Sequence, residues 1–231
     1  MAEIIIALDV PTAADAQQLI TTLGDAAGFY KIGLELFTAE GPDIVRAVKA
    51  RGKSVFLDLK LHDIPRTVER AVRSAATLGV DLLTLHASGG RAMLRAAADA
   101  ARESGPARPH LLAVTALTSL DHADLADLGI TRILPDHVEA LGALALSQGV
   151  DGIVCSPQEV ARMRRILGNE ALLVTPGVRP AGGDVGDQKR VATPAQAVRD
   201  GSTHLVVGRP ICEARDPLAA LLAITRECET A

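Results

Sequence analysis

Eight short apolar runs alternate along this chain with longer amphipathic stretches, and this alternation constrains the fold more than any other feature. The runs have the length of strands, and the stretches between them repeat apolar residues at the spacing of a helix. The units average roughly 29 residues, which is typical of strand-then-helix repeats. The predicted strands are Ile4–Leu8, Phe29–Ile32, Ser54–Leu59, Leu82–His86, His110–Thr115, Gly152–Val154, Leu172–Thr175 and His204–Val207.

Eight such units in 231 residues predict one α/β domain over residues 1–231, folded as a (β/α)8 TIM barrel at the compact end of its usual size. The predicted strands are continuously apolar, as in a parallel sheet covered on both faces. An open, doubly wound sheet is the alternative. It would need a glycine-rich turn after the first strand, and Asp9-Val10-Pro11-Thr12 is not one.

Composition and charge exclude several classes of function. The net charge is −4 and aromatic residues make up 2% of the chain, so no surface for nucleic acid is expected. The first residues lack a basic segment and a long apolar run, so we expect neither a signal peptide nor a membrane span. The cysteines Cys155, Cys212 and Cys228 form no CxxC motif, which favours a reducing, cytoplasmic location without disulfides or structural zinc.

The predicted carboxyl ends of the first three strands carry charged side chains. Along the third strand, alternation places Asp58 and Lys60 on the inward face, and Asp63 follows in the loop. The same alternation turns Asp9 and Lys31 inward on the first two strands. A single Asp–Lys pair would favour a structural ion pair, because such networks also bury charges. Five charges that converge where barrel active sites lie favour a catalytic array instead.

The ends of the seventh and eighth strands carry residues suited to phosphate. Gly208 lets the backbone approach an anion, and Arg209 can donate two parallel hydrogen bonds to its oxygens. A glycine turn beside a surface arginine is the alternative, but barrels often bind phosphate at these two loops. The long loop after the seventh strand contains Arg179, Gln188 and several glycines, and we interpret it as a lid.

Other polar residues near the strand ends have two interpretations each. His86 is either a general base or a hydrogen-bonded strand-end residue. His62 could bind a metal with Asp63, but no third ligand is evident, so no metal site is predicted. Thr118, beside Ser119, either contacts a polar edge of the substrate or caps the following helix.

Longer motifs along the whole chain resemble those of a known family. The octet Asp58-Leu59-Lys60-Leu61-His62-Asp63-Ile64-Pro65, joined to several other segments, makes the sequence similar to the orotidine 5'-phosphate decarboxylase family. Arg66 departs from the asparagine that often follows the proline in the family, but it lies outside the charged core. The bare Asp-x-Lys-x-x-Asp pattern is also shared by sugar-phosphate decarboxylases and synthases of the same barrel group. The other matching segments are Ala7-Leu8-Asp9, Lys31-Ile32-Gly33, His86-Ala87-Ser88-Gly89-Gly90, Leu117-Thr118-Ser119, Thr175-Pro176-Gly177-Val178-Arg179-Pro180 and Val207-Gly208-Arg209-Pro210.

The resemblance implies that orotidine 5'-phosphate loses CO2 to give uridine 5'-phosphate in pyrimidine synthesis, without a cofactor or a metal. It implies that Lys60 protonates C6 of the pyrimidine, with Asp58 and Lys31 beside the departing carboxylate. It also implies a homodimer with shared active sites, in which Asp63 serves the partner's site. The other implied substrate-binding residues are Asp9 and Lys31 at the ribose, Thr67 from the partner at the ribose or phosphate, Thr118 at the base, Arg179, Gln188, Gly208 and Arg209 at the phosphate or the loop over it, and Ile64.

Two other functions remain as alternatives. A metal-dependent sugar-phosphate decarboxylase of the same barrel group would need Mg²⁺ at acidic residues for its enediolate chemistry. The Pro-Gly-Val-Arg-Pro loop with Gln188 argues against it. A catalytically silent barrel that binds a nucleotide and regulates a partner would be expected to have lost a lysine or an acid of the array, and none is lost.

Overall fold

The computed structural model describes residues 2–180 and 192–231. Its eight strands are parallel, and each pairs with the next in chain order. The last strand pairs with the first, which closes the sheet into a barrel and excludes the open, doubly wound alternative. The strands are β1 (Glu3–Ala7), β2 (Phe29–Gly33), β3 (Ser54–Leu61), β4 (Leu82–His86), β5 (His110–Val114), β6 (Gly152–Val154), β7 (Leu172–Thr175) and β8 (His204–Val207).

Helices connect the strands, and capping side chains set several of their starts. The Thr12 hydroxyl accepts a hydrogen bond from the backbone N–H of Asp15 and so caps the first helix. The carboxylate of Asp216 caps the last helix in the same way. The helices of the described residues are α1 (Ala13–Leu23), α2 (Leu34–Glu40), α3 (Pro42–Lys49), α4 (Pro65–Ala76), α5 (Gly90–Glu103), α6 (His122–Asp127), α7 (Leu134–Ser147), α8 (Val160–Leu167), α9 (Pro194–Arg199), α10 (Arg209–Cys212) and α11 (Pro217–Glu229).

Apolar side chains form two layers, one inside the barrel and one between the barrel and its helices. Successive residues of a strand point to opposite faces, so each strand contributes to both layers. On β3, Phe56 belongs to the interior cluster, whereas Leu57 packs against the helices. The inner layer consists of Ile5, Ala7, Phe29, Phe56, Leu82, Leu112, Val174 and Val206.

The structure differs from the sequence prediction at several boundaries. Between the second and third strands the pattern predicts one helix, from about Pro42 to Ala50. The structure also has α2 before it, because a helix of seven residues is too short to show a helical period. Between the fifth strand and Gln148 the sequence pattern predicts one long helical region, whereas the structure has two helices there, α6 and α7. Gly129 follows α6 with a φ of +74°, which a helix cannot accommodate, and Pro135 lies in the first turn of α7. Strand β3 runs two residues beyond its predicted end at Leu59.

The three cysteines form no disulfide, and Cys155 and Cys228 are buried. The thiol of Cys212 donates to the carbonyl of Ala7, and burial raises its pKa to about 12. This thiol therefore stays protonated and unreactive. In the described ranges, no helix is long and apolar enough to cross a membrane.

Candidate active site

The carboxyl end of β3 carries the centre of the site and is irregular. Pairing between β3 and β4 joins Leu57 to Leu83 and next Leu61 to Leu85, with a register shift between these pairs. Within this bulge Lys60 has a φ of +52°, the one positive value among the described non-glycine residues. Such a conformation costs about 1–2 kcal/mol and is concentrated at functional sites.

Four of the five predicted charges form a continuous chain of ion pairs. Asp58 Oδ2 lies 2.8 Å from Lys60 Nζ and 3.9 Å from Lys31 Nζ. Lys31 Nζ donates to Asp9 Oδ1 at 2.7 Å. Lys31 is only 8% exposed, and a cation so poorly hydrated needs the two carboxylates beside it. The barrel thus brings together charges from the ends of three strands.

These four side chains line a pocket of about 540 Å³ at the carboxyl end of the barrel. Its size is within the range of small-molecule sites, and its polar groups lie above an apolar floor. The apolar lining residues from the strands are Ala7, Phe56, Val114, Val154 and Val206.

The loops after β7 and β8 form another part of the same pocket, with Gly208, Arg209 and Arg179 among its lining residues. A Cβ atom on Gly208 would lie 3.4 Å from the Cβ of Ala7 and 3.4 Å from Asp9 Oδ2. A side chain would therefore fill the space above the first strand, and glycine keeps the backbone accessible there. Two guanidinium groups and an open backbone are features of an anion site.

The two ends of the predicted lid are joined. Val178 pairs with Ala192 in an isolated parallel bridge, and the N–H of Arg179 donates to the carbonyl of Ala192 at 3.0 Å. Gln188 and the glycines Gly182, Gly183 and Gly186 of this loop lie outside the described residues.

Three predicted residues, Asp63, Ile64 and Thr67, lie outside the pocket of their own chain. All three are exposed. The carboxylate of Asp63 accepts a hydrogen bond from the N–H of Ile64 at 2.6 Å, which directs it back to its own loop. The structure of one chain therefore does not bring Asp63 to the other four charges.

The polar residues for which the sequence left two interpretations differ in whether they line the pocket. Thr118 lines the pocket, whereas Ser119 does not. His86 stacks obliquely against His62, with ring centroids 5.2 Å apart, and neither ring lines the pocket. Burial, then the neighbouring His62 and Lys60, lower the pKa of His86, so its ring is neutral at neutral pH. No group of three His, Cys, Asp or Glu side chains within the described residues is placed to hold a metal.

Sequence reasoning missed two polar residues at the site. The hydroxyl of Thr84 contacts both Asp58 and Lys60. Alternation along β4 could have indicated it, because Thr84 shares the inward face with Leu82. Glu213 lines the pocket one helical turn after Arg209, a spacing that places both residues on one side of a helix.

The fold and the pocket define a (β/α)8-barrel enzyme with a charged active site at the carboxyl ends of its strands. The model of the family described as "Orotidine 5'-phosphate decarboxylase / HUMPS family" matches residues 2–224. The chain belongs to this family, which confirms the resemblance carried by its motifs.

Individual relatives agree with the family match. Orotidine 5'-phosphate decarboxylase of Moorella thermoacetica is 52% identical over 232 residues, covering 98% of this chain and 92% of that protein. The enzyme of the same name from Nostoc sp. is 49% identical, covering 99% and 98%. A crystal structure of orotidine 5'-phosphate decarboxylase from Lactobacillus acidophilus aligns with a TM-score of 0.88 at 38% identity, covering 99% of each chain.

Proposed function

We propose that this protein converts orotidine 5'-phosphate to uridine 5'-phosphate and CO2 in de novo pyrimidine synthesis. The observation that carries the proposal is the chain of ion pairs from Lys60 to Asp9, in one pocket with Gly208 and Arg209. Membership of the family supports the proposal. Relatives that are about 50% identical in sequence and are named for this activity support it as well.

Lys60 is the proposed proton donor. In the proposed step the bond between C6 of the pyrimidine and its carboxylate breaks, CO2 leaves, and the electron pair stays on C6. The ring has no position that delocalises this pair well, so a fixed cation beside C6 stabilises the developing charge. Lys60 Nζ then transfers a proton to C6, forming the C–H bond of the product, and regains a proton from water.

Asp58 is proposed to hold the two lysines and to lie beside the departing carboxylate. Its Oδ2 atom is within 2.8 Å of Lys60 Nζ and 3.9 Å of Lys31 Nζ, so one oxygen orients both cations. An anion next to the substrate carboxylate also raises the free energy of the bound substrate, and this repulsion is relieved as CO2 departs.

The rest of the pocket is proposed to bind the parts of the substrate that do not react. Asp9 and Lys31 are suited to the ribose hydroxyls, and Thr118 to the base. The phosphate does not change during the reaction, so its binding energy serves to position the base. The proposed phosphate contacts are Arg179, Gln188, Gly208 and Arg209.

We further propose a homodimer in which Asp63 and Thr67 serve the partner's site, with Ile64 in the same shared loop. Exposed apolar side chains support this proposal. Leu34, just after the end of β2, is 54% exposed, and Ile64, just after the end of the neighbouring strand β3, is 68% exposed. A two-fold axis at this edge would cover them and carry Asp63 of each chain towards the other pocket. Cysteines that form no disulfide, together with the biosynthetic role, fit a cytoplasmic location.

The reaction can be tested with the purified chain and orotidine 5'-phosphate, followed by ultraviolet absorbance with and without EDTA. We expect conversion that EDTA does not change, and in D2O a product with deuterium at C6. No conversion would favour the silent barrel. Activity lost to EDTA and restored by Mg²⁺, with turnover of a sugar phosphate, would favour the metal-dependent alternative.

A further inference from the structure

A fully buried threonine connects the two central residues of the site. Thr84 lies in the middle of β4 and is not part of the pocket lining. Its hydroxyl accepts a hydrogen bond from the backbone N–H of Lys60 at 2.9 Å. The same hydroxyl donates to Asp58 Oδ1 at 2.9 Å.

The directions of these two hydrogen bonds are determined by their chemistry. A backbone N–H can only donate, so the oxygen of Thr84 must accept from Lys60. The single proton of the hydroxyl is then available for Asp58, and an ionised carboxylate can only accept. A valine has nearly the same shape as threonine but can form neither bond.

Both hydrogen bonds of Thr84 are made to the irregular part of β3. The pairing of β3 with β4 changes register between Leu57 and Leu61, and Lys60 holds its φ of +52° within this stretch. A strained conformation of this kind persists only where surrounding contacts impose it. The bond from Thr84 is such a contact, and it comes from a neighbouring strand.

The second bond orients the carboxylate of Asp58. Thr84 occupies Oδ1, which leaves Oδ2 facing Lys60 Nζ at 2.8 Å and Lys31 Nζ at 3.9 Å. Rotation of the carboxylate would break the bond to Thr84 and move Oδ2 away from both lysines. One hydroxyl therefore restrains the backbone of the proposed proton donor and the carboxylate that holds its side chain.

We infer that Thr84 is a positioning residue, which keeps the Lys60 backbone in its left-handed conformation and Asp58 in the orientation that aims Lys60 Nζ at the substrate. The inference rests on the proposed function, because it assigns Thr84 to the placement of the proton donor. Thr84 acts through Asp58 and Lys60 and does not touch the substrate.

The kinetic test compares Thr84→Val with Thr84→Ser. Because the Val variant loses two buried hydrogen bonds, one to a charged group, we expect kcat to fall roughly ten- to hundredfold. KM for orotidine 5'-phosphate should change little, because the phosphate and ribose contacts remain. The Ser variant keeps the hydroxyl and should stay close to wild type.

Thr203→Val is a matched control. The Thr203 hydroxyl also connects neighbouring strands. It accepts a hydrogen bond from the backbone N–H of Leu173 at 2.9 Å and donates one to the carbonyl of the same residue at 3.0 Å. It precedes β8, at the end of the barrel opposite the pocket. The control should lose thermal stability but keep kcat. Equal losses of kcat in Thr84→Val, Thr84→Ser and Thr203→Val would overturn the inference.

A second measurement does not depend on activity. Labelling with ¹⁵N-lysine gives few backbone amide signals, and the Lys60 signal is the one absent from Lys60→Ala. We expect slow hydrogen exchange of this amide in wild type and Thr84→Ser and faster exchange in Thr84→Val, at similar global stability. The lysines of the chain are Lys31, Lys49, Lys53, Lys60 and Lys189.

The two measurements separate the inference from the proposed function. If the wild-type protein does not decarboxylate orotidine 5'-phosphate, the proposed function fails, while amide exchange still tests whether Thr84 holds Lys60. Unchanged exchange and unchanged kcat in Thr84→Val would overturn the positioning role. If Thr84→Val does not fold, Thr84→Ala lacks the same hydroxyl without the branched methyl groups and carries the same expectations.

Discussion

Lys60 combines a cationic side chain in the barrel mouth with a backbone conformation that lysine rarely adopts. Its ammonium group is paired with Asp58 and partly open to the pocket, so it is both oriented and accessible to a ligand. These properties suit a group that must deliver a proton to one atom of a bound molecule.

We predict that Lys60→Ala lowers the rate of product formation by at least about a thousandfold, because general acid catalysis and the adjacent positive charge are both lost. Binding of uridine 5'-phosphate, measured by calorimetry, should persist through the loops after β7 and β8. Lys53, at the other end of β3, donates to the carbonyl of Gly24 and provides the control. Lys53→Ala should keep its activity. Wild-type turnover in Lys60→Ala would contradict the assignment.

At the scale of elements, the junction of β8 and α10 is the part of the barrel best suited to an anion. Gly208 leaves the backbone open, and Arg209 begins the short helix that follows. The function proposed for this junction is to bind a group that stays unchanged in the reaction, so its effect on turnover must come through positioning.

We predict that Arg209→Ala raises KM for orotidine 5'-phosphate by roughly ten- to hundredfold and also lowers kcat, because a charge-assisted contact to phosphate is lost. Steady-state kinetics separates the two effects. Phosphite added to wild type should partly restore turnover of a substrate that lacks the phosphate. Arg215→Ala, an exposed arginine of the next turn outside the pocket, is the control. Unchanged kcat and KM in Arg209→Ala would make Arg209 a surface residue.

At the scale of the whole molecule, the amino end of the barrel makes stability depend on pH. His204 packs edge-on against Phe29, and its Nε2 lies 3.7 Å from a carboxylate oxygen of Glu3. Burial, then the charge of His110, lower the pKa of His204 from 6.5 to about 4. The unfolded chain thus takes up this proton near pH 6.5, but the folded chain does so only near pH 4, and stability is lost between these values.

We predict that this one group removes about 2 kcal/mol of unfolding free energy between pH 7 and pH 5. Urea denaturation of wild type and His204→Gln at both pH values measures this loss. Between pH 7 and pH 5 the variant should lose less unfolding free energy than wild type, by the amount that His204 contributes. Asp151 provides a contrast, since its pKa is lowered from the ordinary 3.8 and its contribution to stability is lost only below that pH. Parallel pH dependences of wild type and His204→Gln would contradict the prediction.

The proposed homodimer predicts complementation between Lys60→Ala and Asp63→Ala, two variants that we expect to be inactive on their own. If Asp63 serves the partner's site, a mixed dimer has one site that lacks both groups and one complete site. Random exchange makes about half of the dimers mixed, so roughly a quarter of wild-type activity should return on mixing. If Asp63 acts within its own chain, every site keeps one defect and mixing restores nothing.

Much of the architecture could be predicted from local patterns. The apolar runs and the helical stretches between them are properties of neighbouring residues, so the eight strands and the barrel follow from the sequence. Alternation also placed Asp9, Lys31 and Asp58 on inward faces, which the pocket lining bears out. Boundaries such as those of α6 and α7 were less accessible, because one glycine and one proline divide an otherwise continuous pattern.

The sequence by itself determined which residues could face the barrel mouth, because a strand's alternation is a local property. Only the tertiary structure decided their distances, since the pairing of β1 with β2 places Lys31 Nζ 2.7 Å from Asp9 Oδ1. Only the tertiary structure decided the conformation of Lys60 as well. Its positive φ is unfavourable locally, and a hydroxyl on another strand, 24 residues away in sequence, contributes a contact that holds it.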